Sequence, residues 1–177
     1  MSNTIAPGPD AQANHALSLL KAGTSKGRLT HNLPLSPGLS FKADKAASLK
    51  GGYKSPPGRL LELDVTVKGT PDWVEFHVTL PGGDWSAFGL IGLVCVSAAP
   101  ENIILRPCLR SGTEGRFVDC FFDKHVLSHP QASTHLDAIM FDRRTNLPMD
   151  APWRELILFL PTHSFRWSLQ DLRLFSA

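Results

Sequence analysis

The sequence predicts an all-β fold, namely an antiparallel β-sandwich of jelly-roll type with a short N-terminal helix and an irregular arm before it. Short apolar segments with the two-residue alternation of strands recur from residue 60 onward. Turn-forming clusters such as KGTPD, PGGD and SGTEG separate most of these segments. The segments stand too close together for the helical crossovers that a parallel sheet requires, so antiparallel pairing is expected.

The N-terminal part begins with a tip and a helix. Residues 1–12 are rich in Pro, Asn, Asp and Ala, which predicts a disordered tip. Residues 14–21 (NHALSLLK) predict a short helix, with Asn14 as its cap and Gly23 at its end. A helix of this length is marginal alone and needs a surface to dock on.

The next segment, residues 24–57, is rich in Gly, Pro, Ser and Lys. This composition predicts a partly irregular chain wrapped over a sheet, with a disordered linker as the alternative. Residues 39–41 within it are compatible with a short edge strand. The chain is therefore divided, as a prediction, into an N-terminal arm (1–57) and a β-sandwich domain (58–177).

The sandwich domain carries eight predicted strands. They cover residues 60–67, 73–80, 89–97, 103–110, 116–122, 135–141, 155–160 and 166–175. Residues 89–97 (GLIGLVCVS) are apolar throughout, which is typical of a central strand buried on both faces. Gly89 and Gly92 indicate a bulge, or a close approach of another part of the chain.

Composition limits the class of function. Of the 177 residues, 42% are hydrophobic and 19% charged, enough to bury a core, and the formal net charge is +2. Basic residues are scattered singly apart from Arg143 and Arg144, so neither nucleic acid nor a membrane surface is expected as a partner. No apolar stretch approaches the roughly 20 residues of a membrane span, and residues 1–13 lack the pattern of a secretory signal.

The three cysteines, Cys95, Cys108 and Cys120, lie inside apolar, strand-like runs. Such positions are typical of buried thiols rather than of a disulfide or a metal site. An odd number of reduced thiols suits a reducing compartment, and the cytoplasm is the expected location.

Catalytic motifs are not apparent. His125 and His129 lie four residues apart, with His135 and Asp137 nearby, a set that could supply zinc ligands. Pro130 and the surrounding strand pattern predict extended chain there, whereas that spacing brings two imidazoles together only on a helix.

Carboxylates for glycoside hydrolysis could come from Glu75, Asp119, Asp123 and Glu155, but any β domain offers such a set. No nucleophile elbow or phosphate-binding loop occurs, and no cofactor is expected.

Binding is better supported, because a sugar site pairs aromatic rings with planar hydrogen-bonding side chains. Alternation places Trp73, Glu75 and His77 on one face of their strand, and Arg106 and Arg110 on one face of theirs. Asp119 lies between Phe117 and Phe121, and Trp167 and Arg173 are expected to share a face of the last strand. The candidate ligand-binding residues are Trp73, His77, Arg106, Arg110, Asp119, Trp167 and Arg173. The alternative is that the tryptophans cap the core and the arginines are solvated or pair with aspartate.

Two stretches carry a resemblance to a known group. Residues 80–93 (LPGGDWSAFGLIGL) combine a turn with an apolar strand, and residues 153–175 (WRELILFLPTHSFRWSLQDLRLF) form two closing strands. On these stretches, residues 60–175 resemble the carbohydrate-binding-module-like, galactose-binding-like jelly rolls. The resemblance implies two packed antiparallel sheets whose concave face or edge loops bind glycans. Many members also hold a structural calcium; here LSFKADK, a basic segment, stands where an acidic strand often supplies its ligands, and metal binding is left open.

Three hypotheses follow. The first is a non-catalytic binding domain for a saccharide or glycan polymer. The second is an interaction or assembly domain, in which the helix and the arm dock on a protein partner or a second copy. The third is a small metal-dependent enzyme that uses His125, His129 and His135.

Overall fold

Two antiparallel sheets packed face to face form the fold, as seen in a computed structural model that describes residues 7–177. The elements are helix α1 (Ala11–Ala22), β1 (Lys26–Arg28), β2 (Asn32–Ser36), β3 (Leu39–Ala43), β4 (Ser48–Lys54), β5 (Leu61–Lys68), β6 (Val74–Leu80), β7 (Gly83–Asp84), β8 (Leu90–Ala98), β9 (Ile103–Thr113), β10 (Arg116–Phe121), β11 (Val126–Ser128), β12 (Ser133–Met140), a 3-10 turn (Phe141–Arg143), β13 (Asp150–Ala151), β14 (Arg154–Phe159) and β15 (Phe165–Ser176). The all-β sandwich of jelly-roll type that the sequence predicts is confirmed.

The strand order explains how the chain alternates between the sheets. One sheet has six strands in the order β1-β4-β5-β15-β8-β12, and the other has seven counting β11, with the path β10-β9-β14-β6-β3-β2 and β11 paired to β9. A small ribbon pairs β7 with β13. Every pairing is antiparallel, and Gly115 (φ +70) makes the tight turn between β9 and β10 that SGTEG predicted.

The core lies between the sheets and follows from side-chain alternation. On β6, Val74, Phe76 and Val78 face inward and are fully buried, and on β5, Leu61, Leu63 and Val65 do the same. All eight strands predicted from residue 60 onward are present, with boundaries shifted by a few residues. Apart from Gly92, the outward-facing residues of β8 are only half-buried, so burial of that strand on both faces was overestimated. Gly92 does meet another part of the chain, because a Cβ there would overlap the Phe175 ring.

Residues 24–57, predicted as a partly irregular chain wrapped over a sheet, contain more strand than the sequence indicated. Four strands, β1 to β4, lie in this segment and belong to both sheets: β4 pairs with β5, and β3 pairs with β6. Residues 39–41 do form a strand, but β3 is not an edge, because β2 covers its other side. Backbone pairing with a neighbour compensates for the weak strand propensity of the glycines and prolines here. The division of the chain at residues 57 and 58 stays a prediction, although strands from both sides of it pair within the same sheets.

Helix α1 begins earlier than the sequence suggested. It starts at Ala11 with Asp10 at the cap position, so Asn14 lies inside the helix and does not cap it, whereas Gly23 ends it as expected. Residues 11 and 12 of the predicted tip are thus helical, and residues 1–6 of that tip lie outside the described part of the chain. Leu17 and Leu20 are buried against the helix's own sandwich. The helix therefore docks on its own sheets, whereas the second hypothesis placed it on a protein partner or a second copy.

Two further sequence expectations concern thiols and membranes. All three cysteines are free and buried, which confirms their interpretation as buried thiols. Within residues 7–177, no helix is long and apolar enough to cross a membrane.

Candidate functional site

The side of the seven-stranded sheet that faces away from the core carries most of the polar and aromatic groups that the sequence singled out. It is called the outer face here. By alternation and register its side chains are Ser40 and Lys42 on β3, Glu75, His77 and Thr79 on β6, Arg106, Cys108 and Arg110 on β9, Phe117, Asp119 and Phe121 on β10, and Glu155, Ile157 and Phe159 on β14. Five strands therefore contribute to one continuous surface.

Arg110 and Asp119 form a fork-to-fork ion pair on this face. They lie opposite each other on β9 and β10, and Arg110 donates from Nε to Oδ1 (2.7 Å) and from Nη2 to Oδ2 (2.8 Å). Its Nη1 lies 3.8 Å from Oε1 of Glu75. The guanidinium is thus fixed in orientation and linked to the carboxylates in the middle of the sheet.

His77 lies between two carboxylates. Its Nδ1 is 2.9 Å from Oε2 of Glu155, and its Nε2 is 2.8 Å from Oε2 of Glu75. Burial by itself disfavours the imidazolium, but the hydrogen bonds to Glu155 and Glu75 outweigh it and raise the pKa of His77. Burial likewise acts to raise the pKa of Glu155, yet the hydrogen bond to His77 leaves that pKa below its usual range. The charged form of both partners is therefore favoured.

Lys42 extends this network toward the edge of the sheet. Its Nζ lies 3.4 Å from Oε1 of Glu155 and 3.4 Å from Nδ1 of His77. Lys42, His77, Glu155, Glu75, Arg110 and Asp119 consequently form a chain of opposite charges across the outer face. These charges are largely neutralised by one another.

Aromatic rings lie beside the charged chain. Phe117 is 54% exposed, with the Arg110 guanidinium 4.2 Å from its ring centre. Arg106 stacks similarly on Phe121 at 4.3 Å, and the centres of the Phe121 and Phe159 rings are 5.6 Å apart. The rings and guanidinium groups form an amphipathic platform over β9, β10 and β14.

Two tryptophans lie at opposite ends of the outer face. Trp73 directly precedes β6 and Trp153 directly precedes β14, and the two are 36% and 40% exposed. Because β6 and β14 run antiparallel, the residues are separated by roughly 25 Å along the strands, at about 3.3 Å per residue. The indole of Trp153 packs on Gly112, where a Cβ would meet Nε1 at 2.4 Å.

Arg154 fixes the position of Trp153. Its fully buried guanidinium donates to the carbonyl oxygens of Gly83 (2.7 Å), Met149 (2.7 Å) and Pro148 (3.0 Å), and it lies 4.0 Å from the centre of the Trp85 ring. These bonds tie the segment before β14 to β7. Trp153 is therefore presented from an anchored backbone.

Five of the seven sequence-predicted residues lie on the outer face or at its end: Trp73, His77, Arg106, Arg110 and Asp119. His77, however, is only 2% exposed, because the carboxylates and Ile157 surround it, so it orients other groups and cannot contact a ligand directly. The alternative of arginine paired with aspartate also holds, since Arg110 bonds Asp119. The same arrangement leaves Phe117 and Phe121 stacked on arginines.

Trp167 and Arg173 do not belong to this surface, and the prediction that they share a face is wrong. A β-bulge between Leu169 and Asp171 shifts the alternation of β15 by one residue. Trp167 therefore faces the core and donates from Nε1 to Oγ of Ser128 (3.1 Å), whereas Arg173 faces solvent on the six-stranded sheet. Trp167 caps the core, as the alternative interpretation of the tryptophans stated.

Sequence reasoning did not select Lys42, Trp153, Phe159 or the role of Glu155. Glu155 and Phe159 alternate with buried leucines in β14, a signal that is visible in the sequence, but their neighbours depend on strand order. Lys42 was missed because its segment was interpreted as irregular.

The histidine cluster does not form a metal site. Within residues 7–177, no group of three or more His, Cys, Asp or Glu side chains is arranged to hold a metal ion. His125 and His129 flank the extended strand β11, as their context predicted, and β11 separates them. The third hypothesis therefore gains no support from this part of the chain.

Comparison with known proteins addresses the fold. No protein-family model matches the chain, and no curated protein does. Among solved structures, a family 11 carbohydrate-binding module from Clostridium thermocellum, in complex with a β-1,3-1,4-mixed-linked tetrasaccharide, aligns with TM-score 0.52 and 14% identity over 86% of this chain and 96% of that one. The chain has the fold of a carbohydrate-binding module.

Two further structures agree. The N-terminal cellulose-binding domain of Cellulomonas fimi β-1,4-glucanase C aligns with TM-score 0.55 and 12% identity over 83% of this chain and 92% of that one. A xylan-binding domain from Paenibacillus barcinonensis aligns with TM-score 0.52 and 6% identity over 88% and 95%. The carbohydrate-binding-module fold is thus confirmed, whereas the galactose-binding-like part of the resemblance and the cytoplasmic location stay predictions.

Proposed function

We propose that this chain is a non-catalytic module that binds a neutral, extended polysaccharide on the outer face of the seven-stranded sheet. The observation that carries the proposal is the platform of Phe117, Phe121 and Phe159 beside fixed polar groups. A pyranose ring offers an apolar C–H face to aromatic rings and hydroxyls to charged hydrogen-bonding groups. One sheet face here presents both kinds of partner.

The charge state of the face favours a neutral ligand. Arg110, Asp119, Glu75, His77, Glu155 and Lys42 are engaged with one another, and Arg106, which has no ion pair in residues 7–177, stacks on Phe121, so little net charge is available for an ionic ligand. The remaining lone pairs and N–H groups of the less buried members, Lys42, Glu155, Arg110 and Asp119, suit hydroxyls. The separation of Trp73 and Trp153 suits several consecutive sugar units rather than a monosaccharide. The structural neighbours described above were solved with, or named for, mixed-linked β-glucan, cellulose and xylan, which makes β-linked polysaccharides the first ligands to test.

Calorimetric titration with soluble β-1,3-1,4-glucan, a soluble cellulose derivative and xylan tests the proposal. Phe117→Ala and Trp153→Ala each remove an exposed ring, and we expect each to weaken binding about 10-fold, in line with ~1.4 kcal/mol for an aromatic contact. Leu136→Ala is the matched control, because Leu136 is 57% exposed but lies on the six-stranded sheet.

The outcomes separate clearly. A loss with both aromatic variants and no change with Leu136→Ala supports the outer face as the site. Absence of binding to all three polysaccharides at millimolar sugar concentration contradicts the proposal. Unchanged binding in a variant that carries both Phe117→Ala and Trp153→Ala also contradicts the proposal.

A further inference from the structure

A groove lies on the opposite side of the molecule, on the solvent face of the six-stranded sheet. It has a volume of about 1020 Å³, and it is called the basic groove here. Register places Arg28, Gly52, Asp64 and Arg166 in one row across β1, β4, β5 and β15, and Lys26, Lys54, Glu62 and Ser168 in the next. Pro100 and Pro130 border one end. The groove is therefore separated from the outer face by the whole core.

The groove continues into a smaller cavity of about 360 Å³. The two share Asp64, Pro100 and Arg166, and the smaller one adds polar residues that include Asn102, His163 and Ser164. Together they make an elongated depression that fits an extended chain better than a compact molecule.

Small residues make the depression. Gly52 lies in the centre of its row, and a Cβ there would approach the carbonyl oxygen of Gly27 to 2.9 Å. Ser168 is a second small residue, the member of the neighbouring row that lies on β15. The long side chains of Arg28, Lys54 and Arg166 rise around this floor.

The charges of the basic groove are largely unpaired, in contrast to the chain of charges from Lys42 to Asp119 on the outer face. Lys26, Arg28 and Arg166 make no ion pair with any residue in 7–177. Lys54 and Arg59 both bind Glu62, at 2.9 Å and 2.5 Å. Asp64 is exposed and has no cationic partner among the described side chains. An anionic ligand would supply the missing partners of three cations.

We propose that the basic groove binds an acidic oligosaccharide whose sugar units carry carboxylates, that is, a uronic-acid chain. Arg28, Lys26 and Arg166 pair with the ligand carboxylates, and Arg does so with two parallel hydrogen bonds. Asp64 accepts hydrogen bonds from sugar hydroxyls. A polyphosphate or nucleic acid presents closely spaced anions with few or no hydroxyls, so Asp64 would repel it. This inference does not depend on the proposed function of the outer face.

Titration with a short oligogalacturonide tests the proposal, with a neutral oligoglucoside of equal length and inorganic polyphosphate as comparison ligands. Arg28→Ala and Arg166→Ala are expected to weaken oligogalacturonide binding at least 10-fold each. Arg173→Ala is the matched control, because Arg173 is an exposed arginine on the same sheet face outside the groove. Neither Arg173→Ala nor Phe117→Ala is expected to change this binding. Unfolding midpoints of all variants check that they remain folded.

Asp64→Asn distinguishes the proposed recognition from attraction by charge alone. It removes the negative charge and replaces one of the two acceptor oxygens by an NH2 donor, so we expect weaker oligogalacturonide binding and stronger polyphosphate binding. The proposal is overturned if the oligogalacturonide does not bind, or if Arg173→Ala weakens it as much as Arg28→Ala. It is also overturned if Asp64→Asn strengthens the binding of the oligogalacturonide and of the polyphosphate equally. The groove would then attract any anion by its positive charge alone.

Discussion

At His77, the surroundings decide the protonation state of a single residue. A neutral imidazole donates from one nitrogen only, yet both nitrogens of His77 face carboxylate oxygens, those of Glu155 and Glu75. The raised pKa of His77 means that the folded state binds the proton more tightly than the unfolded state. The resulting stabilisation is complete below about pH 6.5, where both states are protonated, and it is lost as the pH rises through the folded pKa.

Glu155 sets the acid limit of the pH range in which this pair stabilises the fold. Its pKa is lowered from 4.5, so its contribution is present above that value and is lost as the pH falls through the folded pKa. We therefore expect the thermal unfolding midpoint to be highest between about pH 5 and 6.5 and to decline above neutrality. The His77→Gln variant should lose the decline on the alkaline side. His15→Gln, which alters an exposed residue of α1, should retain it. An alkaline decline that persists unchanged in His77→Gln would show that another group causes it.

At the scale of one element, helix α1 is attached to β15 by the Asn14 side chain, which makes the two hydrogen bonds that a neighbouring strand would make. Asn14 donates from Nδ2 to the carbonyl oxygen of Leu174 (2.8 Å) and accepts from the Leu174 N–H at Oδ1 (2.9 Å). These two bonds connect the helix with β15, while Leu17 and Leu20 cover the core beneath.

Replacing Asn14 by Ala removes both bonds and leaves a half-buried peptide group of β15 without its partner. We expect the free energy of unfolding to fall by about 1–3 kcal/mol, measured by urea denaturation. Ser18→Ala is the control, because its exposed hydroxyl bonds only the His15 carbonyl oxygen within the helix, and its effect should stay within about 0.5 kcal/mol. An equal effect of the two substitutions would mean that the link to β15 contributes little.

The individual strands show which parts of the fold the local sequence predicts and which it does not. Alternation in β5 and β6 gave the strands and their buried faces, because the core selects every second residue. Strands β1, β2 and β4 escaped notice, since their residues are mostly exposed or half-buried and pairing with neighbours, not burial, creates them. The bulge between Leu169 and Asp171 places Arg173 on the solvent face of the six-stranded sheet, whereas strict alternation places it on the same face as Trp167. For the candidate site, the residue types could be anticipated, but the meeting of Glu155 with His77 required the strand order.

At the scale of the whole molecule, the chain passes repeatedly from one sheet to the other. Strands β1 and β4 lie in the six-stranded sheet and β2 and β3 in the seven-stranded sheet, and this exchange continues up to β14 and β15. One core is shared by both sheets. Neither sheet can therefore open fully without breaking pairs and contacts of the other, and unfolding should be a single cooperative transition.

The cysteines allow this cooperativity to be measured, because they sit in both sheets. Cys95 on β8 and Cys108 on β9 are 1% and 0% exposed, and burial raises the pKa of the Cys95 thiol to about 12 and acts in the same direction at Cys108. Both thiols should resist an alkylating reagent in the native state and react only after global opening. Labelling followed by site-resolved mass spectrometry in increasing urea should give the same opening free energy for the two.

Cys120 supplies an internal comparison, since it lies on β10 at the edge of the seven-stranded sheet. Edge strands open locally at lower cost, so Cys120 is expected to react earlier and with a weaker dependence on urea. If Cys95 reacts while Cys108 stays protected, the six-stranded sheet opens alone and the shared core does not couple the sheets. Equal urea dependence at Cys95 and Cys108 instead places the outer face and the basic groove on one cooperative unit, because each is built on one of the two sheets.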